Sequence, residues 1–445
     1  MSRQTDDLYS NIEIVPDDPE SINTRTENSS EDFHSSDNVI TDKENSQGFD
    51  VDWDTIEENY RRSHSHQHRS SHSKHDSSHL SGSGYSTSGH GKKHKRNKNR
   101  KRYSGGKKKW SKKKKFLVGI LLFLLCLIIG TISAFLIMRY KGKQALLNYN
   151  DLNIDIPDGI DYEDGGRFIY YNGHKYEFNT SIATILFMGI DNTELKENAT
   201  AGTAGQADAL YLFTYDTKNG KIKILCLNRD TMTDISRYDE SGAYYDTSKA
   251  QLCLAYAYGD GQTLSAENQV TAVERLIYNV PINAYYAIDL SAIKILNDDI
   301  GGVTLTPEYS FGSFTKGQQI TIKGDLAEEF VRYRDISLLD DNLRRMACQR
   351  QYINSFASQI VPAIKNNFNL PMKLYQDSSK YTVTNIDISD LTYLASTLAF
   401  NYSGLELVTT SGKYLDVADD EFAEFKINRT KLFETVLSIF YIQVD

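Results

Sequence analysis

Histidine is nearly absent from the C-terminal part of this chain, residues 139–445. Only His174 lies there, and the other nine histidines come earlier. A Ser-His-Asp or Cys-His catalytic group therefore has a single candidate histidine, and a histidine-rich zinc site lacks its ligands. Chemistry in this region has to use Asp, Glu, Arg and Lys side chains, with or without a hard metal ion.

Cysteine is also scarce, with four residues in the whole chain. Cys126 lies in a long apolar run, which leaves Cys226, Cys253 and Cys348 after it. An odd number at scattered spacings is not a disulfide framework, and cysteines in apolar runs are typically buried free thiols.

Charge and proline are both missing from residues Phe116–Met138, which read FLVGILLFLLCLIIGTISAFLIM. About 20 apolar residues cross a bilayer core, so this run predicts a transmembrane helix. A signal peptide would have a shorter apolar core at the extreme N-terminus, followed by a cleavage site. Here a long tail precedes the run and Arg139 follows it, which favours an uncleaved anchor.

A lysine-rich segment before the span predicts its orientation. Residues Lys92–Lys115 hold 15 of the 50 Lys and Arg residues. The positive-inside rule then places the N-terminus in the cytoplasm and residues 139–445 outside, as in a single-pass type II protein of the cell membrane. Such a segment also occurs in nucleic-acid-binding proteins, but next to a span, attraction to anionic membrane lipids is the simpler interpretation. We expect no nucleic-acid partner.

Composition divides the chain into four regions. Few apolar residues precede the lysine segment, so the tail is predicted to be disordered. Its His64–His94 stretch fits a soluble spacer better than a loose metal site. The predicted regions are a disordered cytoplasmic tail (1–115), the transmembrane helix (116–138), a stalk and entry hairpin (139–180) and one extracytoplasmic domain (181–445).

Apolar patterning in that domain alternates between strands and helices. Residues 183–190 and 209–216 predict buried strands, and Asn219-Gly220 predicts a tight hairpin into a third strand, 221–228. Residues 266–280 have helical spacing, whereas 249–261 fit either a strand or a helix. Alternation of this kind predicts a layered α/β sheet.

Arginine is clustered late in the chain: five of the eleven arginines of residues 139–445 lie between residues 332 and 350. If VRYR is extended, Arg332 and Arg334 share a strand face, and Arg345 and Gln349 share a face of the next helix. Guanidinium groups suit phosphate oxygens, although surface ion pairs with nearby aspartates would explain the pattern equally well.

Carboxylates stand at the predicted strand ends. Asp191 ends one strand and Asp208 begins the next, an arrangement that either caps the strands or holds Mg²⁺ against a phosphate. Arg229 and Asp230 follow a third strand and form either a salt bridge or an oriented phosphate-binding arginine.

Seven short motifs in order resemble the LytR–CpsA–Psr family of Gram-positive envelope proteins. They are GID (189–191), QAD (206–208), LNRDT (227–231), LAYAYGDG (254–261), DDIGGV (298–303), VRYRD (331–335) and RRMACQRQ (344–351). The resemblance implies a three-layer α/β/α sandwich with a central mixed sheet and a hydrophobic tunnel for a polyprenyl tail. It also implies transfer of a glycopolymer, such as teichoic acid or capsular polysaccharide, from a polyprenyl pyrophosphate carrier to peptidoglycan.

The resemblance also assigns roles to residues of this chain. Asp191 and Asp208 would bind Mg²⁺. Asp230 is our candidate for orienting Arg229, with the role of a base left open, and the predicted catalytic residues are Asp208, Arg229 and Asp230. The implied pyrophosphate-binding residues, with those that substitute for missing cations, are Arg229, Lys249, Gln251, Arg332, Arg334, Arg345 and Gln349.

This chain departs from the family pattern at three positions. Gln206 and Cys348 stand where the family has arginine, and Gln251 stands where it has lysine. Lys249 lies two residues earlier on the same strand face, and Arg345 or Arg350 could supply another cation. These departures leave two alternatives open: a protein that binds polyprenyl phosphate without turnover, and a regulatory envelope protein.

Overall fold

The computed structural model of the protein describes residues 110–192, 195, 199–333, 341–415 and 423–445, with only the backbone described at 341–343. The predicted disordered tail lies outside the described residues as far as residue 109. Arg334 also lies outside them.

Helices and strands alternate along the described chain. The helices are α1 (Lys112–Leu146), α2 (Leu254–Ala257), α3 (Thr263–Leu276), α4 (Leu290–Asp299), α5 (Asp325–Arg332), α6 (Asp341–Asn366), α7 (Leu370–Ser378), α8 (Ile388–Asn401) and α9 (Arg429–Phe440). The strands are β1 (Asp161–Glu163), β2 (Phe168–Tyr171), β3 (His174–Phe178), β4 (Ile182–Ile190), β5 (Ala207–Asp216), β6 (Lys221–Leu227), β7 (Met232–Tyr238), β8 (Tyr244–Gln251), β9 (Ala284–Ile288), β10 (Val303–Leu305), β11 (Ile320–Ile322), β12 (Thr382–Thr384), β13 (Gly404–Thr409), β14 (Gly412–Tyr414), β15 (Phe425–Ile427) and β16 (Tyr441–Gln443).

A six-stranded mixed sheet, in the order β12-β9-β4-β5-β6-β13, forms the centre of the domain. Strands β4, β5 and β6 pair antiparallel, and Gly220 closes the predicted hairpin with a φ of 73°. Strand β9 joins β4 and strand β13 joins β6 in parallel, because each follows a crossover through helices. The predicted central mixed sheet is confirmed.

Side-chain alternation in the sheet produces three layers. Leu186 and Met188 of β4 are fully buried in the main core with α3 and α9. Phe187 points to the other face, where Ala357 of α6 packs, and Ala183 meets Tyr393 of α8. Helices therefore cover both faces, as the predicted α/β/α sandwich requires.

Helix α1 is longer than the predicted span of 116–138. It begins at Lys112, inside the segment predicted to be disordered, because the Ser111 side chain caps the Lys114 N–H and lysine is a good helix former. Its apolar core is not buried in the protein, and α1 is the one described helix that is long and apolar enough to cross a membrane.

The stalk prediction is wrong for residues 139–146, because α1 continues through them and packs on the domain. Leu146 is 1% exposed and packs in a cluster with Tyr393 of α8. The Arg139 guanidinium donates to Ser396 Oγ at 2.6 Å. The predicted hairpin near Gly173 is confirmed as β2 and β3.

Two other local predictions are corrected or resolved. Arg332 ends helix α5 and is not on an extended strand, because Ala327, Phe330 and Val331 have helical spacing and bury one face of that helix. The ambiguous segment 249–261 divides into the end of β8, a turn at Cys253 and the short helix α2.

Replacing Gly142 with alanine should loosen the docking of α1 on α8, because the new methyl group would overlap the backbone carbonyl of Ser389. We expect the Tm of the full chain in detergent, measured by circular dichroism, to fall by an amount equivalent to about 1–3 kcal/mol, the usual cost of overpacking. Gly130→Ala is the matched control, since it lies in the same helix and its methyl group meets nothing within 4 Å. Equal Tm values for the two variants would contradict this docking.

Candidate functional site

An apolar cavity of about 560 Å³ lies between the sheet and the helices α4 and α6. Side chains from β4, β5 and β6 form one wall, and Ile353, Phe356 and Ala357 of α6 form another. Its polar lining residues are Asp191, Asp208, Arg332, Arg345 and Gln349. The cavity therefore combines an apolar interior with a charged group of residues from the predicted site.

Asp191 and Asp208 meet where β4 ends and β5 begins, as predicted. The Asp191 carboxylate accepts a hydrogen bond from the Gln206 N–H at 2.7 Å, and the Asp191 N–H donates to the Gln206 carbonyl. These bonds hold the two strand ends together. Burial raises the pKa of Asp208, the Asp191 charge adds to that rise, and Arg229 and Arg345 oppose it.

Arg229 lies at the centre of the charged group, two residues after β6. Its guanidinium forms an ion pair with Asp208 and donates to Gln206 Oε1 at 2.7 Å and to Asp230 Oδ1 at 3.3 Å. Arg345 approaches the other Asp208 oxygen, with its Nη1 atom 3.6 Å away. Two arginines from different elements thus converge on one partly buried carboxylate.

Asp230 is held by residues from several parts of the chain. It is 6% exposed, and its carboxylate accepts hydrogen bonds from Gln251 Nε2 at 3.2 Å, from the Tyr414 hydroxyl at 3.2 Å and from Arg229. Asn228 Oδ1 accepts from the Asp230 N–H. These bonds hold Asp230 beside the guanidinium of Arg229.

Sequence reasoning missed Asn228 and Tyr414. Asn228 donates to the Tyr414 hydroxyl at 2.9 Å, so these two residues complete the support around Asp230. Asn228 precedes Arg229 and was within reach of the motif, whereas no local signal marks Tyr414.

Of the remaining predicted residues, some line the cavity and others do not. Gln349 lines the cavity and donates to the Val331 carbonyl at 3.2 Å. Arg332 also lines it, but its half-exposed side chain forms an ion pair with Glu328 at 2.6 Å. Lys249 is exposed on β8 opposite Asp234 and is not among the lining residues.

Two cysteines near these motifs have different surroundings. Cys253 is buried, its Sγ atom lies 3.7 Å from Gln206 Oε1, and burial raises the pKa of its thiol to about 12. Cys348 packs in a separate apolar cluster with Phe330 and Tyr352. Cys348 stands where the family has arginine, but it does not line the cavity.

The donor set at the strand ends suits a hard divalent cation. Among the described residues, no group of three His, Cys, Asp or Glu side chains could hold a metal ion. Mg²⁺ is commonly bound by one or two carboxylates and completes its shell with water and phosphate oxygens. Asp191 and Asp208, facing one cavity and close enough for their charges to interact, fit that pattern.

Comparison with known proteins gives one family and several distant relatives. The LytR_cpsA_psr family matches residues 169–436. Polyisoprenyl-teichoic acid–peptidoglycan teichoic acid transferase TagV of Bacillus subtilis is 27% identical over 218 residues, 46% of this chain and 50% of the relative. TagU of Bacillus cereus, with the same transferase description, is 30% identical over 176 residues, 39% of this chain and 50% of the relative. The chain spans about half the length of the curated relatives it matches.

Solved structures are covered more fully than these curated relatives. The crystal structure of Bacillus subtilis TagV is 22% identical, with a TM-score of 0.46, covering 58% of this chain and 96% of that chain. The protein gbs0355 from Streptococcus agalactiae is 21% identical, with a TM-score of 0.49, covering 58% of this chain and 87% of that chain.

The Cys253 thiol should resist alkylation at pH 8 in the folded chain, because a pKa of about 12 leaves only about one thiol in ten thousand ionised. Labelling should increase as the pH rises towards that pKa and should become complete after unfolding. Peptide mass spectrometry after iodoacetamide treatment measures both. Ser241→Cys, at an exposed turn, is the reactive control. Rapid labelling of Cys253 at pH 8 would contradict its burial.

Proposed function

The chain belongs to the LytR_cpsA_psr family, and on that premise we propose that it transfers a glycopolymer of the teichoic acid or capsular type from a polyprenyl pyrophosphate carrier to peptidoglycan. The proposed setting is the outer side of the membrane, with α1 as the anchor and the lysine-rich segment in the cytoplasm. One observation carries the proposal: an apolar cavity whose polar lining residues are arginines, carboxylates and a glutamine.

That cavity has the chemistry of an amphiphilic ligand. Its apolar walls, including Phe187, Phe213 and Leu405, suit an isoprenoid chain, which gains free energy by leaving water. Arg345 and Arg332 line the same cavity, and Arg229 contacts Asp208 at its edge. Guanidinium groups bind phosphate oxygens in paired, charge-assisted hydrogen bonds.

The proposed reaction is a phosphoryl-group transfer. An acceptor hydroxyl of peptidoglycan attacks the phosphorus next to the glycopolymer, and the bond from that phosphorus to the bridging oxygen of the pyrophosphate breaks. The hydroxyl proton is released to water or to the departing phosphate. The products are a phosphodiester between polymer and peptidoglycan, and polyprenyl phosphate. Such a reaction needs mainly positioning and neutralisation of charge, which explains how it can proceed without a histidine.

Each part of the charged group has a role in this proposal. Arg229 and Arg345 stabilise the negative charge that develops on the phosphoryl oxygens, and Asp230 holds Arg229 in place through the bond at 3.3 Å. Asp191 and Asp208 would hold Mg²⁺, which supplies further charge neutralisation when bound.

A second candidate, binding of a polyprenyl phosphate without turnover, is favoured by one observation. Gln206 provides a neutral amide where the family has arginine, and that amide accepts a hydrogen bond from Arg229. Part of the capacity of Arg229 for phosphate is therefore already used inside the protein.

Arg229→Ala should lower Mg²⁺-dependent turnover by about 100-fold or more, the usual effect of removing one preorganised donor from a transition state. The assay uses the full chain with a polyprenyl-pyrophosphate-linked glycan and a peptidoglycan acceptor, and follows the phosphodiester product with and without a chelator. Arg275→Ala is the control, because Arg275 contacts Ser236 and does not line the cavity.

The outcomes separate the two candidates. Turnover that persists in Arg229→Ala, or in excess chelator, would contradict the proposed site. Tight binding of the polyprenyl carrier by the natural chain, with no product in the presence of acceptor and Mg²⁺, would establish the second candidate.

Ala357→Phe should block the apolar part of the cavity, because Ala357 is 6% exposed and lines it. We expect at least about tenfold weaker binding of a long-chain polyprenyl phosphate, since displacing two methylene groups already costs about 1.6 kcal/mol. Binding of inorganic pyrophosphate should not change. Ser358→Phe, on the exposed face of the same helix, is the control, and the Tm of both variants reports their folding. Equal loss for both ligands would show that the cavity does not hold the tail.

A further inference from the structure

Two exposed phenylalanines stack on each other at one end of the domain. Phe368, between α6 and α7, and Phe400, near the end of α8, have ring centroids 6.4 Å apart. They are 66% and 82% exposed. Single exposed apolar residues are common, so the surroundings of this pair decide whether it has a function.

Phe400 lies on the face of α8 that contacts α1. Ser389, Tyr393, Ser396 and Phe400 are separated by four, three and four residues, the spacing of one helical face. The first three contact α1. Phe400 continues the same face beyond the last of these contacts.

The contacts between α1 and α8 fix the direction of that face. Gly142 abuts Ser389, whereas Arg139 reaches Ser396 and lies 5.6 Å from the ring of Tyr393. Residue numbers thus fall along α1 as they rise along α8, so the two helices are antiparallel. The C-terminal end of α8 therefore points towards the apolar span of α1.

The depth of Phe400 follows from the same register. Leu136 and Thr397 line one cleft at the junction of the two helices. Phe400 is three residues further along α8, which places it level with about residue 133 of α1 and roughly 5–8 Å inside the end of the apolar run at Met138. At this level α1 is surrounded by the hydrocarbon of the bilayer if it spans the membrane.

We infer that Phe400 and Phe368 insert into the lipid bilayer beside α1, so that this end of the domain is seated in the outer part of one leaflet. The ligand of this surface is the phospholipid interface itself. The inference rests on the membrane-anchoring part of the proposed function, and it is independent of the transfer reaction.

Cationic and aromatic residues around the pair fit this location. Arg139, Lys143 and Lys218 line a cleft of about 830 Å³ where α1 meets the domain. The inferred depth of Phe400 puts this cleft at the height of lipid phosphates. Lys365 lies 6.0 Å from the ring of Tyr402, one turn from the phenylalanines. Long basic side chains extend to the headgroup region, and aromatic rings concentrate at the membrane interface.

Two backbone carbonyl groups near Phe400 are satisfied within the protein. Asn401, next to Phe400, donates from its side-chain amide to the carbonyl groups of Thr217 and Lys218. Entry of this edge into an apolar medium therefore does not strand these carbonyls without donors, a requirement for any segment at that depth.

Tryptophan reporters test the inference in the full chain reconstituted in phosphatidylglycerol–phosphatidylcholine vesicles. Trp53 and Trp110, the two natural tryptophans, are first replaced by phenylalanine. Phe400→Trp is compared with Ile128→Trp in the span and with Tyr245→Trp, which is 71% exposed on β8 beside Arg237. Lipids carrying bromine near the glycerol end or near the methyl end of their acyl chains quench tryptophan at the corresponding depth.

We expect Phe400→Trp to emit at shorter wavelength than Tyr245→Trp and to be quenched most by the shallow bromines. Ile128→Trp should be quenched most by the deep bromines, and Tyr245→Trp by neither. If Ile128→Trp is quenched and Phe400→Trp is not, the span is anchored and the inference is overturned. A blue-shifted but unquenched Phe400→Trp would show that a second copy of the chain covers the pair, which also overturns it.

If Ile128→Trp is not quenched by either lipid, α1 does not lie in the bilayer, and the anchoring part of the proposed function fails together with this inference. The transfer assay on Arg229→Ala does not depend on any of these readings. The two sets of results can therefore be told apart.

Discussion

The partly buried carboxylate of Asp208 organises the charged group of this protein. A carboxylate withdrawn from water is unstable unless cations or hydrogen-bond donors replace the water. Here Arg229, from the end of β6, and Arg345, from α6, supply that replacement. One electrostatic requirement thus ties two strands and a helix together, and it places two guanidinium groups beside an apolar cavity.

The same requirement explains why Asp230 is so fully hydrogen-bonded. Arg229 is shared between two aspartates, so its orientation depends on how firmly the second one is held. Gln251 and Tyr414 hold Asp230 from separate strands. Under the proposed function, a guanidinium fixed in this way would need little reorganisation when a phosphate arrives, which is the condition for efficient electrostatic stabilisation.

Much of the central sheet and part of the site followed from local patterns in the sequence. Strands β4 and β5 were predictable from their largely apolar runs, and β6 from the hairpin signal Asn219-Gly220 before it. The strand ends then identified Asp191, Asp208 and Arg229. Tyr414 was not predictable, since it lies 184 residues from Asp230. It is brought close by the pairing of β13 with β6, by its own pairing with Phe425 and by the bridge of Phe425 to Thr231. Such contacts leave no local periodicity.

Predictions from short sequence segments were wrong where packing with distant residues overrides the local pattern. The four letters VRYR alternate like a strand, but Val331 and Arg332 end a helix, because Phe330 and Val331 bury against Cys348 and Tyr352. The stalk prediction failed for a similar reason: nothing in residues 139–146 breaks a helix, and α8 offers it a surface. Both errors concern segments whose structure is decided by a distant partner.

Helix α1 enters the domain without a break, and this makes it a lever arm. Ser181 and Thr217 lie at the junction with α1, whereas Asp191 and Asp208 are at the opposite ends of β4 and β5, roughly 30 Å of strand away. Membrane helices tilt when their apolar length and the bilayer thickness disagree, and with no hinge at the joint a tilt of about 20° would carry the charged group sideways by roughly 10 Å. Under the proposed function, hydrophobic mismatch would then influence which peptidoglycan strands the charged group can reach.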